Sequence, residues 1–305
     1  MSKMNSQQDK SSLENYQNII LQGDSWELVD VLPEQSVQMI VTSPPYFQQR
    51  KYIKKDTDGS LEFGREATVQ EYVTKLVLLF QKLKLVLKDN GTIWLNLGDK
   101  YLDNQLLGVP WRVALALQDD GWLLRSEIIW YKPNAMPSSV KNRPTTDHEH
   151  IFLLAKSKDY YYNADAIREQ HVTFSTKSKM KGGRNHFGKR DGTPENGKNK
   201  GDSNLHDGRW DQAFHPLGRN KRTVWEIPVG KFRDAHFAVF PERLIENCIL
   251  AGSTEEDIVL DPFMGAGTTA LVAKRHSRHY IGIELVAAYI KMAEERIQKV
   301  QMQLL

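Results

Sequence analysis

Residues 258–284 run IVLDPFMGAGTTALVAKRHSRHYIGIE. Ile258 to Leu260 are a short apolar run of the kind that makes a buried strand, and Asp261 to Gly267 are turn residues. Thr268 to Lys274 have helical character, and Tyr280 to Ile283 form a second strand that ends in the acid Glu284. Strand, glycine turn, helix and acid-terminated strand are the layout of a nucleoside-binding βαβ unit. Glycine lets the backbone approach a ligand closely, and the acid accepts hydrogen bonds from ribose hydroxyls. Glu284 lies 17 residues after Gly267, near the spacing this unit requires. No third glycine follows, since Thr269 and Ala270 stand there, which favours a nucleoside over a ligand carrying a pyrophosphate. Two glycines alone would serve any tight strand-to-helix turn. Asp261-Pro262-Phe263 ahead of them and Glu284 behind make the pattern more specific.

Working outward, Asn18 to Leu21 read as a strand and Ser25 to Leu32 as a helix. Val37 to Val41 read as a strand that stops at Thr42-Ser43-Pro44-Pro45-Tyr46, because Pro45 has no N–H and Pro44 restricts Ser43. Helical spacing of Val73, Leu76, Val77, Phe80, Leu83 and Leu87 predicts a helix over Val69 to Leu87, ended by Asp89-Asn90-Gly91 before a strand Thr92 to Leu97. A helix Pro110 to Asp119, a strand Arg125 to Trp130 and a strand His150 to Ala155 follow. Towards the C-terminus, Phe240 to Gly252 and the last residues read as helices. This alternation predicts a doubly wound α/β sheet. Between about Val172 and Lys221 the periodicity vanishes and Gly, Asn, Lys, Arg, Ser and His dominate, as in an insertion or a mobile lobe.

Forty-one Lys and Arg against 38 Asp and Glu leave a net charge of +3, so any nucleic-acid surface must come from local clustering. The single cysteine, Cys248, excludes an internal disulfide framework and fits a reducing compartment; at helical spacing it reads as a small core residue. Apolar runs stop well short of the roughly 20 residues needed to cross a bilayer. The opening MSKMNSQQDKSS reads as a disordered tail rather than a signal peptide. The expected location is the cytoplasm, with no membrane partner. His148 and His150 lack the acids or cysteines that would complete a metal site, so no metal is expected.

Thr42 to Tyr46 lie at the carboxyl end of a predicted central strand, where open α/β sheets place ligands. A hydroxyl, an aromatic ring and a Pro44 carbonyl without a local N–H competitor come within a few residues, a cradle suited to a planar base with an exocyclic amine. Ser43-Pro44-Pro45-Tyr46 near the N-terminus, together with Phe263-x-Gly265-x-Gly267 near the C-terminus, resembles the S-adenosylmethionine-dependent DNA amino-methyltransferases. The order of the motifs resembles the permuted (beta) group, and serine at the first motif position resembles its N4-cytosine branch.

The resemblance implies a Rossmann-like methyltransferase sheet, circularly permuted, with a small basic target-recognition insertion. Its parts would be a tail (1–15), a catalytic half (16–170), a recognition region (171–225) and a cofactor half (226–305). It implies S-adenosylmethionine as cofactor and a site-specific reaction at the N4 amine of a flipped-out cytosine in duplex DNA. N6-adenine methylation stays open, because both bases present an amine beside a ring nitrogen. Ser43, Pro44, Pro45 and Tyr46 would act on the base. Asp24, Thr42, Phe240, Pro241, Asp261, Phe263, Gly265, Gly267, Thr268 and Glu284 would bind the cofactor, with His236 to Pro241 closing over its methionine part. Trp130 to Asn134 resemble the segment lining the target-base pocket. Arg50, Lys132, Lys177, Lys179, Lys181, Arg184, Lys189 and Arg190 would meet DNA, the last six from a stretch in which cations face only Asp191 and Glu195. The resemblance allows for a cognate restriction endonuclease in the same system, without a stable complex, and for a monomer or weak dimer.

Overall fold

The structure is a computed structural model that describes residues 14–49, 62–170, 217–230 and 240–304. The chain divides into two compact units, Met1–Asn163 with Arg222–Leu305, and Ala164–Lys221. In the smaller unit Glu169 and Arg219 pair through their backbones and side chains.

The larger unit carries an eight-stranded sheet. Its elements are β1 (Ile19–Gln22), α1 (Ser25–Leu28), β2 (Val37–Thr42), α2 (Val69–Val86), β3 (Leu87–Leu97), the small hairpin β4 (Tyr101–Leu102) and β5 (Gln105–Leu106), α3 (Val109–Asp119), β6 (Leu123–Tyr131), β7 (His148–Ala155), β8 (Val224–Glu226), α4 (Glu242–Gly252), β9 (Ile258–Asp261), α5 (Thr268–Arg275), β10 (His279–Glu284) and α6 (Ala287–Leu304). The strand order is β1-β10-β9-β2-β3-β7-β6-β8. All neighbours run parallel except β7, which is antiparallel to both β3 and β6. This is the doubly wound, Rossmann-like α/β sheet expected from the alternation of elements.

β2 and β9 lie side by side in the middle, with Met39 opposite Val259 and Ile40 opposite Leu260. From this pair the chain winds one way through β10 and the other way through β3, so their carboxyl ends form the topological switch point where open sheets bind ligands. Both strands are buried along their whole length, as parallel strands covered on two faces must be.

α2 is set by its apolar stripe. Tyr72, Val73, Leu76, Leu79, Phe80, Leu83 and Val86 are buried against the sheet. Thr68 caps its first turn by accepting from the Glu71 N–H at 3.2 Å, and the Glu71 carboxylate accepts from the Ala67 N–H at 3.0 Å. The predicted stop at Asp89-Asn90-Gly91 is instead a bulge inside β3. Val37 pairs with Leu87 and Met39 with Thr92, so the three turn-forming residues loop out and the strand resumes. α4 starts two residues later than predicted, because Pro241 stays extended (φ −63°, ψ 143°) as the N-cap. The β4–β5 hairpin was not expected; Asp103 and Asn104, both at positive φ, make its two-residue turn. Cys248 is buried in α4, as its spacing implied.

Candidate functional site

The geometry of the sheet gathers the site. Parallel strands present their carboxyl ends along one edge, and the antiparallel β7 brings its beginning to that same edge. Asp24 after β1, Ser43 after β2, Asn96 in β3, Lys132 after β6, Glu149 at the start of β7, Pro262 after β9 and Glu284 ending β10 all line one cavity of about 220 Å3. Ser43 and Gly265 therefore share a cavity although more than two hundred residues separate them in sequence.

One wall is a polar cluster. The Ser43 hydroxyl donates to Tyr46 Oη at 3.1 Å, and the Tyr46 hydroxyl donates to Glu149 Oε2 at 2.6 Å. Asn96 Nδ2 donates to Tyr46 Oη and Glu149 Oε2, both at 2.7 Å, and to Ser43 Oγ at 3.4 Å. Lys132 Nζ pairs with Glu149 Oε1 and lies 4.5 Å from the centre of the Trp130 ring. Burial, and after it the Glu149 charge, push the Tyr46 phenol well above its ordinary value. Its ring packs so close to Gly98 that a Cβ there would lie 2.6 Å from Cε2. The Tyr72 hydroxyl occupies the Pro45 carbonyl at 2.9 Å, whereas among the described residues nothing donates to the Pro44 carbonyl.

The glycine turn lines the same cavity. Gly265 (φ 53°) has nothing within 4 Å of where a Cβ would stand, so its backbone faces open space. Glu284 Oε2 accepts from the Gly265 N–H at 2.7 Å and Oε1 from the Val286 N–H at 2.8 Å. Burial raises the Glu284 carboxyl, against the pull of these two N–H groups. With the Leu285 N–H also bonded to it, the carboxylate still keeps acceptor capacity for a further donor. Phe263, Ile283, Leu285 and Tyr289 supply apolar surface around it. A bare backbone, an acid with spare acceptor capacity and apolar faces fit an adenosyl group. Asp24 lines this part of the cavity while capping α1 through its bond from the Trp26 N–H at 2.9 Å.

Four residues assigned to the cofactor do not line the cavity: Thr42, Pro241, Asp261 and Gly267. Asp261 is fully buried and its oxygens are taken by the Thr42 hydroxyl at 2.7 Å, the Phe263 N–H at 3.0 Å and the Thr269 hydroxyl at 2.7 Å. It clamps the end of β2 to the end of β9 and so sets the two loops in register. Gly267 serves packing, since a Cβ there would meet Ala293 Cβ of α6 at 2.5 Å. Pro241 caps α4. Pro44, Pro45, Phe240, Phe263, Thr268 and Lys132 do line the cavity. Arg50, Lys177, Lys179, Lys181, Arg184, Lys189, Arg190 and the segment 236–239 lie outside the described residues.

Asn96 and Glu149 were not anticipated. Glu149 sits between His148 and His150, and strand alternation sends it to the opposite face from the two histidines. That alternation, applied to a strand leaving the Trp130 segment, was the available signal. His150 instead bonds Glu127 at 2.7 Å.

A DNA methylase family model matches residues 37–295. The type II methyltransferase M.Cfr9I of Citrobacter freundii is 37% identical over 92% of this chain and 87% of its own length. The type II methyltransferase M.SmaI of Serratia marcescens is 36% identical over 91% and 90%. Among solved structures, the PvuII DNA methyltransferase (cytosine-N4-specific) aligns with a TM-score of 0.65 at 21% identity, covering 93% of this chain and 89% of that one. The M1.HpyAVI–SAM complex aligns with a TM-score of 0.54 at 20% identity, covering 91% and 98%.

Proposed function

The chain belongs to the DNA methylase family, S-adenosylmethionine-dependent DNA amino-methyltransferases, and from that premise we propose that it methylates the N4 amine of a flipped-out cytosine at a specific short sequence in duplex DNA. The observation that carries the reading is that one cavity is lined both by Ser43 to Tyr46 and by the Gly265–Glu284 turn. Serine rather than aspartate at the first motif position supports cytosine, as does the fold likeness to a methyltransferase named as cytosine-N4-specific.

S-adenosylmethionine, when bound, supplies a methyl group already activated on a sulfonium. The chain's own task is to hold a weak nucleophile in line with it. Gly265, Phe263 and Glu284, with Asp24, Thr268 and Phe240 beside them, would hold the cofactor, while Asp261 and Thr42 keep that wall at a fixed distance from Ser43. The Ser43 oxygen and the Pro44 carbonyl would accept the two hydrogens of the base amine. Its lone pair is then freed from the ring and the positive charge growing on nitrogen is stabilised. Tyr46 would stack on the base, and Trp130 and Lys132 would border its pocket. Flipping the base costs about a few kcal/mol, supplied by contacts to the strand. The basic interval within 171–225 would provide phosphate contacts and target recognition. The likeness to type II methyltransferases supports a cognate restriction endonuclease in the same system, without a stable complex.

Incubation with methyl-labelled S-adenosylmethionine and mixed-sequence duplex DNA, followed by nucleoside mass analysis, tests the base. N4-methylcytosine is expected; labelled N6-methyladenine would overturn the cytosine assignment and leave the family intact. Tyr46→Ala is expected to lower turnover at least roughly 10-fold through the lost stacking partner alone. Cofactor affinity should stay within about twofold, and parallel loss of both would reassign Tyr46.

A further inference from the structure

Methylation of an arylamine leaves a proton to be disposed of. The nitrogen that has gained a methyl group is cationic and strongly acidic, and Ser43, a neutral hydroxyl, cannot keep what it receives. A carboxylate within relay distance would complete the chemistry. We propose that Glu149 is the terminal proton acceptor of the reaction, reached from the base amine through the Ser43 and Tyr46 hydroxyls.

The donor directions already match this flow: Ser43 donates to Tyr46, and Tyr46 donates to Glu149. The base amine takes the methyl carbon, leaves the sulfur its electron pair and gives a proton to Ser43 Oγ. Ser43 passes its own proton to Tyr46 Oη, Tyr46 passes its proton to Glu149 Oε2, and the nitrogen recovers its lone pair. Glu149 ends as a neutral carboxylic acid and later releases the proton to water. Tyr46 itself is unsuited to be the base, because burial and the neighbouring carboxylate disfavour its phenolate. It is suited to hand a proton on.

The surroundings hold the three groups in line. Asn96 Nδ2 touches all three acceptor oxygens, which fixes the amide's orientation and leaves its Oδ1 buried without a partner. Gly98 admits the Tyr46 ring where any side chain would displace it. Glu149 is faced by Lys132 from the end of β6 and by Tyr46 from the loop after β2, and Tyr46 in turn by Tyr72 of α2. The Lys132 ammonium compensates the carboxylate charge before the proton arrives.

This assignment rests on the methyltransferase reading but not on which base is methylated, since either amine must shed a proton. The test is single-turnover methyl transfer by the full chain on mixed-sequence duplex DNA with saturating S-adenosylmethionine, across pH. Glu149→Gln is expected to slow transfer at least ~100-fold and to abolish the acid limb of the rate profile, with cofactor and DNA affinities within about twofold. Glu149→Asp should recover part of the rate. Tyr46→Phe should be slowed similarly, and the double variant should be no slower than the slower single one, because both interrupt one series of transfers. Without cofactor or DNA, ring-13C tyrosine NMR should show Tyr46 titrating at a lower pH in Glu149→Gln than in the unaltered protein.

A Glu149→Gln rate within about threefold of normal would overturn the proposal. So would an acid limb that survives the substitution, or binding lost in step with rate. Labelled N6-methyladenine from the unaltered protein would refute only the cytosine reading, while no labelled nucleoside at all would remove both.

Discussion

Asp261 shows how one residue can matter to a site it does not touch. Buried and bonded to Thr42, Thr269 and the Phe263 N–H, its carboxyl is raised to about 6, desolvation outweighing the three hydrogen bonds. Between the ordinary carboxylate value near 4 and this raised value, the folded chain binds a proton that the unfolded chain has released. Stability from this residue is therefore full below about pH 4 and lost as pH rises through about 6. Relative to Asp261→Asn, the unaltered protein is expected to lose roughly 3 kcal/mol of stability between about pH 4 and 7. Urea denaturation of both proteins across that range measures it, and a pH-independent difference would show that the carboxyl titrates normally.

Among the elements, the β9-to-α5 turn uses its two glycines differently, which the motif alone does not reveal. Gly267 (φ 77°) lets α6 approach the turn, so Gly267→Ala should destabilise the protein by about 2–4 kcal/mol through overpacking and left-handed strain. Gly265 (φ 53°) has room, so Gly265→Ala should cost only about 1 kcal/mol of stability. Its methyl group, however, would stand in open space at the cavity lining and should weaken S-adenosylmethionine binding tenfold or more, about 1.4 kcal/mol. Thermal unfolding together with calorimetric titration separates the two; equal effects of both substitutions would mean that the glycines share one role. The motif was legible because its residue types and spacing are local. Asn96, a lone polar residue in the run Ile93 to Leu97, and Glu149, between two histidines at the start of β7, were not, because neither position signals which neighbour it will meet.

For the whole molecule, a net charge of +3 supplies little general attraction to DNA, so affinity should depend on local cations. Replacing Lys177, Lys179, Lys181, Arg184, Lys189 and Arg190 with Gln is expected to flatten the dependence of log Kd on log salt, by about 0.9 for each phosphate that is no longer neutralised. Cofactor affinity in the absence of DNA should not change. An unaltered salt slope in a filter-binding or anisotropy titration would remove this interval from the interface.

The sequence by itself determined the alternation of strands and helices, the abrupt end of β2 at its prolines, and the glycine turn with its acid. Each of these follows from steric and hydrophobic preferences acting over a few residues. Which strands lie adjacent, how β7 reverses to bring Glu149 to the ligand edge, and that Asp261 bonds Thr42 across the chain were decided only in the tertiary structure. Those relations arise from non-local pairing and from the need of buried polar groups to find partners, and neither leaves a periodic trace along the chain.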